Sequence, residues 1–497
     1  MMPLHLLDLL CAGLLAAFLS PFQEAVEADP FLPAVAAPAG FDRTWAAEQT
    51  LIHLKSLIEI NTTNGNDPGE SDQRVNGNEM ETARWFDAQL SGLDGVETHV
   101  LDAGDGRANF IARLRAVEPV NRPVLVMGHM DVVGADGLHW NTPPFEPTIQ
   151  DGYLYGRGAI DCKGPLAAEL TAFLALAKRR AQLKRDVIFL ATAAEEGGPD
   201  VGIGRVLSQH RELLGDAEFA MNEGGRIRME NERILSVNIQ TTEKVAYSVH
   251  VTATGPGGHG SVPLPDNVLA ALARAVSRVH DWRAPAVLNQ TTSLFFQQQA
   301  LIESDPLLRA AMEALTTANP GSPDFLRAAH VLSTAPHYSA VLRSAQSLTM
   351  LNGGFRSNVI PSSGTAVFNL RVLPGGDVDM IVSEMNRVGA EPSVEFVLEG
   401  PPRISPPPSP VDTELFRAMA ETAEVMVPGV VVVPFMSTGG TDGAALRSIG
   451  IPTYGILPIP MPLEDELRMH GDNERAPVKG LGWAAEYIYR TLLAVAG

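Results

Sequence analysis

Residues 187–198 read Val187-Ile188-Phe189-Leu190-Ala191-Thr192-Ala193-Ala194-Glu195-Glu196-Gly197-Gly198, an apolar run of strand length that ends in two acids and two glycines. Two more runs end in the same manner. Val124 to Gly128 leads into His129-Met130-Asp131, and Phe219 to Met221 leads into Asn222-Glu223-Gly224-Gly225. Continuous apolar runs, with a helical stretch from Pro165 to Arg180 between the first two, predict an α/β fold whose parallel or mixed sheet is covered on both faces. Thr453 to Leu457 adds a later strand. Ligands bind such sheets beyond the carboxyl ends of the strands, and here those ends carry acids and a histidine. That much carboxylate at one edge repels itself unless cations lie within it. Adjacent acids in extended backbone point in different directions, so one of Glu195 and Glu196 can ligate a cation while the other reaches the attacking water. His129 and Asp131, two apart, suit a carboxylate that holds a ligating imidazole.

Around this core, Trp45 to Ile60 and Glu79 to Leu90 have helical apolar spacing, with an Asn/Gly/Asp-rich loop from Asn61 to Asn78 between them. From about Glu243 the pattern changes. Val245 to Thr254 alternates like a half-exposed strand, Asn267 to Val279 reads as a helix, and Ser347 to Leu351 and Ala366 to Val372 read as strands. A helix from Asp377 to Val388 and a strand from Ser393 to Leu398 complete a βαββαβ order, the split ferredoxin-like pattern of a smaller α+β domain. Pro401 to Pro410 reads as a hinge back to the first domain. The Gln/Ala-rich helical region at about 281–343 reads as an insertion in the smaller domain and carries no legible chemistry.

A chain of 497 residues is expected to form two domains, and 45% apolar with 19% charged residues is a globular composition. With 37 Lys and Arg against 58 Asp and Glu, the net charge of −21 argues against a nucleic-acid partner. The first 42 residues lack Lys and Arg, and the apolar run Leu9 to Leu19 is short of the ~20 residues a membrane span needs. Followed by Val26-Glu27-Ala28, residues 1–28 read as a signal peptide, which predicts a periplasmic or secreted protein; without a working signal it would stay cytoplasmic. Cys11 and Cys162 are the two cysteines, so metal ligands must come from His, Asp and Glu.

Further elements follow in order. Trp140 stands with Pro143-Pro144-Phe145, and Gly156-Arg157-Gly158 precedes Asp161-Cys162-Lys163-Gly164. Then come Gly257-Gly258-His259-Gly260-Ser261, Asn358-Val359-Ile360-Pro361, Gly439-Gly440-Thr441-Asp442 and His470-Gly471-Asp472-Asn473-Glu474. Together with the three strand ends, this series resembles the di-zinc metallopeptidase family of aminoacylase, succinyl-diaminopimelate desuccinylase, glutamate carboxypeptidase and Gly-X carboxypeptidase, nearest the last branch. The resemblance implies a mixed-sheet zinc-peptidase catalytic domain at 41–242 and 403–497, with a lid and dimerisation domain inserted at 243–402, through which relatives form homodimers. It implies two Zn2+ per chain, replaceable by Co2+ or Mn2+. His129 and Glu223 would serve one zinc, Glu196 and His470 the other, and Asp161 would bridge them. Glu195 would be the general base and Asp131 the orienter of His129. His259 would help polarise the scissile carbonyl, and Arg371 would pair with the substrate carboxylate. Asn358 and Gly440 would line the substrate cleft, and the Asp161–Cys162 peptide would be cis.

The implied activity is hydrolysis of an amide next to a free carboxylate, on a small peptide as a carboxypeptidase or dipeptidase. N-acyl-amino-acid hydrolysis is the alternative. A non-catalytic binding protein would be expected to lose Glu195 or the ligands, and a phosphoesterase would want more basic residues than Arg157 and Arg371.

Overall fold

The computed structural model describes residues 29–64, 77–198, 200–403 and 405–497. The segment read as a signal and residues 65–76 of the Asn/Gly/Asp-rich loop lie outside them. Among the described residues, an eight-stranded sheet runs edge to edge through Val96–Gly104, Arg107–Leu114, Val187–Thr192, Val124–His129, Phe219–Glu230, Thr453–Pro462, Arg233–Glu243 and Val431–Ser437. The Val124–His129 strand is parallel to both neighbours, whereas Val96–Gly104, Arg107–Leu114 and Val187–Thr192 pair antiparallel, so the sheet is mixed. Both faces are covered, as continuous apolar strands require. Val124, Val126, Val187 and Phe189 pack against the helices Arg43–Glu59, Lys163–Ala177 and Val478–Ala496, while Leu125, Met127, Ile188 and Leu190 pack against Ile203, Val206 and Leu446.

Several expected elements have different limits. The first helix begins at Arg43 because the Asp42 carboxylate accepts from the Thr44 and Trp45 amides. The Pro165 helix begins at Lys163, since a first-turn proline lacks only an N–H that has no intrahelical partner. Phe219 to Met221 is the start of a strand that continues to Glu230, so Glu223 lies within a strand and not beyond its end. The glycines allow this. A Cβ on Gly225 would collide with the carbonyl oxygens of Asn238 and Gly455 on the flanking strands. The sequence reading assigns Arg233–Glu243 to no element; beside Ile234, Val237 and Ile239 it buries the polar Ser236, Asn238, Gln240, Thr241, Thr242 and Glu243.

The second sheet has the order Ala345–Gly353, Ser363–Val372, Val245–Thr254, Val394–Leu398, all antiparallel, with helices Val268–Asp281 and Val378–Gly389 packed on it. In chain order this is βαββαβ, with the ferredoxin-like strand order. Asn267 and Asp377 cap its two helices.

The insertion corrects the sequence reading. It forms helices Gln290–Gln299, Pro306–Thr317, Pro323–Leu332 and Pro336–Leu342, whose shared core includes Val433 and Met436 of the Val431–Ser437 strand. It is threaded through the smaller domain but docks on the edge of the large sheet. Only tertiary packing decides that placement. Among the described residues no helix is long and apolar enough to cross a membrane.

Candidate metal centre

Five parts of the large domain meet near the carboxyl ends of the central strands. His129 ends one strand, Asp161 follows the Gly156-Arg157-Gly158 turn, Glu196 follows another strand, and Glu223 lies within a third. His470 arrives from the loop after Leu463–Glu466. His129 Nε2 is 2.9 Å from Asp161 Oδ1 and 3.9 Å from Glu223 Oε1. On the other side of Asp161, His470 Nε2 is 3.1 Å from Oδ2 and 2.9 Å from Glu196 Oε1. Ligand atoms of His129, Asp161 and Glu223 all lie within 4.8 Å of one another, as do those of Asp161, Glu196 and His470. Asp161 belongs to both groups. The Asp161–Cys162 peptide is cis.

The donor set fits cations on chemical grounds. His129 Nδ1 lies 3.0 Å from the Asp131 carbonyl, the partner for an N–H. In neutral histidine that leaves Nε2 as a lone pair facing the acceptors Asp161 and Glu223, an arrangement that needs a positive charge between them. Without metal a proton must serve: burial opposes the imidazolium, but Asp131 and Asp161 outweigh it and hold the His129 pKa well above 6.5. The Asp161 and Glu196 carboxylates raise His470 to about 10. Burial, then Asp161, pushes the Glu223 carboxyl well above the carboxylate range. Burial, then Glu223, does so to Glu195. Glu196 Oε1 is buried and lacks a hydrogen bond of acceptable geometry, despite its closeness to His470. Cys162 shares the His129 group, yet burial pushes its thiol well above its usual pKa and so disfavours the ligating thiolate.

Asp131 holds more than a histidine. Its carboxylate accepts from the Glu195 amide at 3.0 Å, the Glu196 amide at 3.1 Å and Asn64 Nδ2 at 3.1 Å, while its Oδ1 stands 3.5 Å from His129 Nδ1. The acidic pair is therefore not extended, as its sequence suggested. Ala194 takes a left-handed φ of 57°, and the following turn is tied down by Asp131.

Glu474 plays the matching part for Asp161. Its buried carboxylate accepts from the amides of Gly158 at 2.9 Å, Ile160 at 2.7 Å and Asp161 at 3.1 Å, and from Arg157 Nη1 at 2.8 Å. The sequence reading assigned Glu474 no role, because an acid in a Gly/Asp/Asn loop looks solvated until the fold supplies its donors. Removing one charge from a buried pair typically costs about 3–5 kcal/mol. Glu474→Gln is expected to lower stability by about that much, measurable as the urea midpoint of the metal-free protein.

The other expected residues are not all brought together. Gly440 lines the cavity beside Glu195, Glu196 and Glu223, in a loop whose Thr441 amide and hydroxyl donate to the buried Glu243 at 2.9 and 2.8 Å. Arg371, His259 and Asn358 sit in the smaller domain and do not line that cavity. Arg371 is half-buried, donates to Asn369 at 2.8 Å and has Arg403 as a cationic neighbour. His259 is exposed, its Nδ1 2.7 Å from Ser261 Oγ.

Known proteins similar to this chain are numerous. A probable carboxypeptidase S-like 2 of Dictyostelium discoideum is 30% identical over 381 residues, 75% of this chain and 71% of that protein. The N-fatty-acyl-amino acid synthase/hydrolase PM20D1 of Homo sapiens is 27% identical over 76% of this chain and 75% of its own length. The M20 family metallo-carboxypeptidase Sso-CP2 from Sulfolobus solfataricus shares the fold, with a TM-score of 0.63 at 19% identity over 90% of this chain and 99% of that one. Residues 125–494 match Peptidase family M20/M25/M40, and that span holds both ligand groups. With that span and those relatives, the chain belongs to Peptidase family M20/M25/M40 and is a hydrolase of the peptidase or amidohydrolase kind.

Proposed function

We propose that this protein is a two-zinc hydrolase that cleaves an amide next to a free carboxylate, as a metallo-carboxypeptidase or dipeptidase. The observation that carries the reading is Asp161 shared between two ligand groups, with Glu195 beside them in one cavity. His129, Glu223 and Asp161 would hold one ion, and Glu196, His470 and Asp161 the other. Bound there, zinc (or cobalt or manganese) would polarise the scissile carbonyl and make water a stronger acid.

Glu195 takes a proton from the attacking water and delivers it to the leaving amide nitrogen. Burial suits it to this, because a carboxylate with a raised pKa is a stronger base and holds the proton it has taken until the nitrogen needs it. Asp131 fixes the Glu195 and Glu196 amides so that neither acid drifts from its task. Arg371 binds the substrate carboxylate, and a guanidinium with a cationic neighbour and no acid partner among the described residues is well disposed to take one. His259 stabilises the developing oxyanion, and Asn358 and Gly440 contact the bound substrate. For the three residues of the smaller domain this requires that domain to close over the cavity, or a second copy of the chain to present them. The N-terminal segment would export the enzyme.

N-acyl-amino-acid hydrolysis uses the same groups, and PM20D1 carries that activity in its name. The test is steady-state kinetics on a dipeptide, its C-terminal amide and an N-acyl amino acid. The free acids should be cleaved and the amide should not. Losing a charged hydrogen bond costs ~1.5–3 kcal/mol, so Arg371→Ala should lower kcat/KM on the acids roughly 10- to 100-fold. Equal cleavage of acid and amide by the wild type would overturn carboxylate recognition.

A further inference from the structure

The cavity at the metal centre, of about 360 Å³, has unlike parts to its lining. One holds Asp161, Glu195, Glu196, Glu223 and His470. Another part of the lining comes from the helical insertion, where Phe295, Ala340 and Val341 line the cavity together with Phe435 from the edge strand of the large sheet. The wall is continuous across that junction: the rings of Phe295 and Phe435 are 6.2 Å apart, and Phe295 also packs on Phe296 at 5.1 Å and Tyr338 at 6.3 Å. Phe295 and Val341 are rooted in the insertion's buried core, so the wall is held in place from behind.

Two cations near this wall come from the Phe219–Glu230 strand. Arg226 donates to the carbonyls of Gly224 and Gly225 at 2.9 Å and to Glu466 at 3.2 Å, and Arg228 lies 3.6 Å from the same carboxylate, too far for a hydrogen bond. Burial, with Arg228 next in effect, holds His337 below its usual pKa, so it is neutral at ordinary pH. What the insertion itself presents to the cavity is thus apolar apart from the His337 imidazole. An apolar wall in the same cavity as a charged centre favours a ligand that is polar in one part and greasy in another.

We propose that the Gln290–Leu342 insertion is the specificity wall of this active site, that it receives an apolar group flanking the scissile amide, and that Ala340 sets how large the group can be. Ala340 is the small residue of the wall and is partly exposed to the cavity. A larger side chain there projects into open space and not into the packed core. The assignment rests on the hydrolase reading above and adds to it the chemical class of the group beside the bond.

The test uses ligands that cannot be hydrolysed, the two products that cleavage would leave. Calorimetric titration of the zinc-loaded full-length protein compares acetate, butyrate, hexanoate and octanoate for the acyl side, and glycine, alanine, norvaline and norleucine for the amine side. Burying a methylene contributes ~0.8 kcal/mol, or about a threefold to fourfold gain in affinity. One of the two series should tighten by about that factor per methylene over its first members, and which one does so identifies the flank. Ala340→Phe should remove at least tenfold of the gain at the long end, and Ala340→Val a smaller part of it. Affinity independent of length in both series, or a length dependence untouched by both variants, would overturn the proposal. Turnover is read separately. Failure to hydrolyse any dipeptide or N-acyl amino acid would sink the hydrolase reading, whereas the binding series would still decide what the wall accepts.

Discussion

Glu195→Gln is expected to leave the metal content unchanged and to lower kcat by roughly 10²–10⁴-fold. Both halves of that result follow from the turn after Ala194. The Glu195 and Glu196 amides are fixed by the two oxygens of one Asp131 carboxylate, and these backbone contacts survive a change of side chain. Glu196 belongs to the ligand group with Asp161 and His470 and is untouched by the substitution. The amide of glutamine has the shape of the carboxyl but cannot accept and return a proton at any working pH, so proton transfer alone is lost. Steady-state kinetics beside metal analysis by mass spectrometry checks the pair of outcomes. Near-normal turnover would remove Glu195 from the base's role. A loss of metal equal to the loss of rate would make it a ligand.

The arrangement that supports this prediction is partly legible in the amino-acid sequence. Continuous apolar strands ending in acids are a local pattern, and they locate His129, Glu195 and Glu196 at one sheet edge; Glu223 reads the same way in the sequence although its strand runs on to Glu230. The smaller domain is legible for a similar reason, since alternating strands and two Asn- or Asp-capped helices lie close together in the chain. Elements whose signal is tertiary are not. Arg233–Glu243 is assigned no element from the sequence, because it buries polar side chains whose setting only the fold supplies, such as the Glu243 carboxylate that accepts from Thr441 and pairs with Arg447 at 2.9 Å. Glu474 has its donors more than three hundred residues earlier in the chain. The insertion's helices are amphipathic, but amphipathicity says only that a face is buried, not which surface buries it. Here the covering surface is the Val431–Ser437 strand, and that choice makes the insertion part of the active-site cavity.

Removing the metals should destabilise the protein and do so more strongly as pH rises. The chelated state leaves Asp161, Glu195, Glu196 and Glu223 facing one another with protons as the only compensating charge. Burial and mutual repulsion raise the Glu195 and Glu223 carboxyls above their unfolded value of 4.5. His129 and His470 are raised above 6.5, His470 to about 10. Every one of these shifts means that the folded state binds more protons than the unfolded chain, so the stability they confer is present at low pH and is lost as pH climbs through the folded pKa values. Asp131 and Asp161 are shifted the other way, but their contribution falls away only below the usual carboxylate range. Metal binding replaces the same protons and so gains with pH where the chelated state loses. The difference in Tm between loaded and chelated protein should therefore widen from about pH 5 to about pH 8. At a free metal concentration a thousandfold above Kd, each ion adds about 4 kcal/mol. His129→Ala and His470→Ala should each abolish most activity and shrink that difference, and the loaded wild type should carry about two ions per chain, as a co-catalytic pair requires. Differential scanning calorimetry across this pH range, with and without chelator, makes the measurement. A gap that narrows with rising pH, or an active preparation with fewer than one ion per chain, would show that these histidines and carboxylates are not held together by metal.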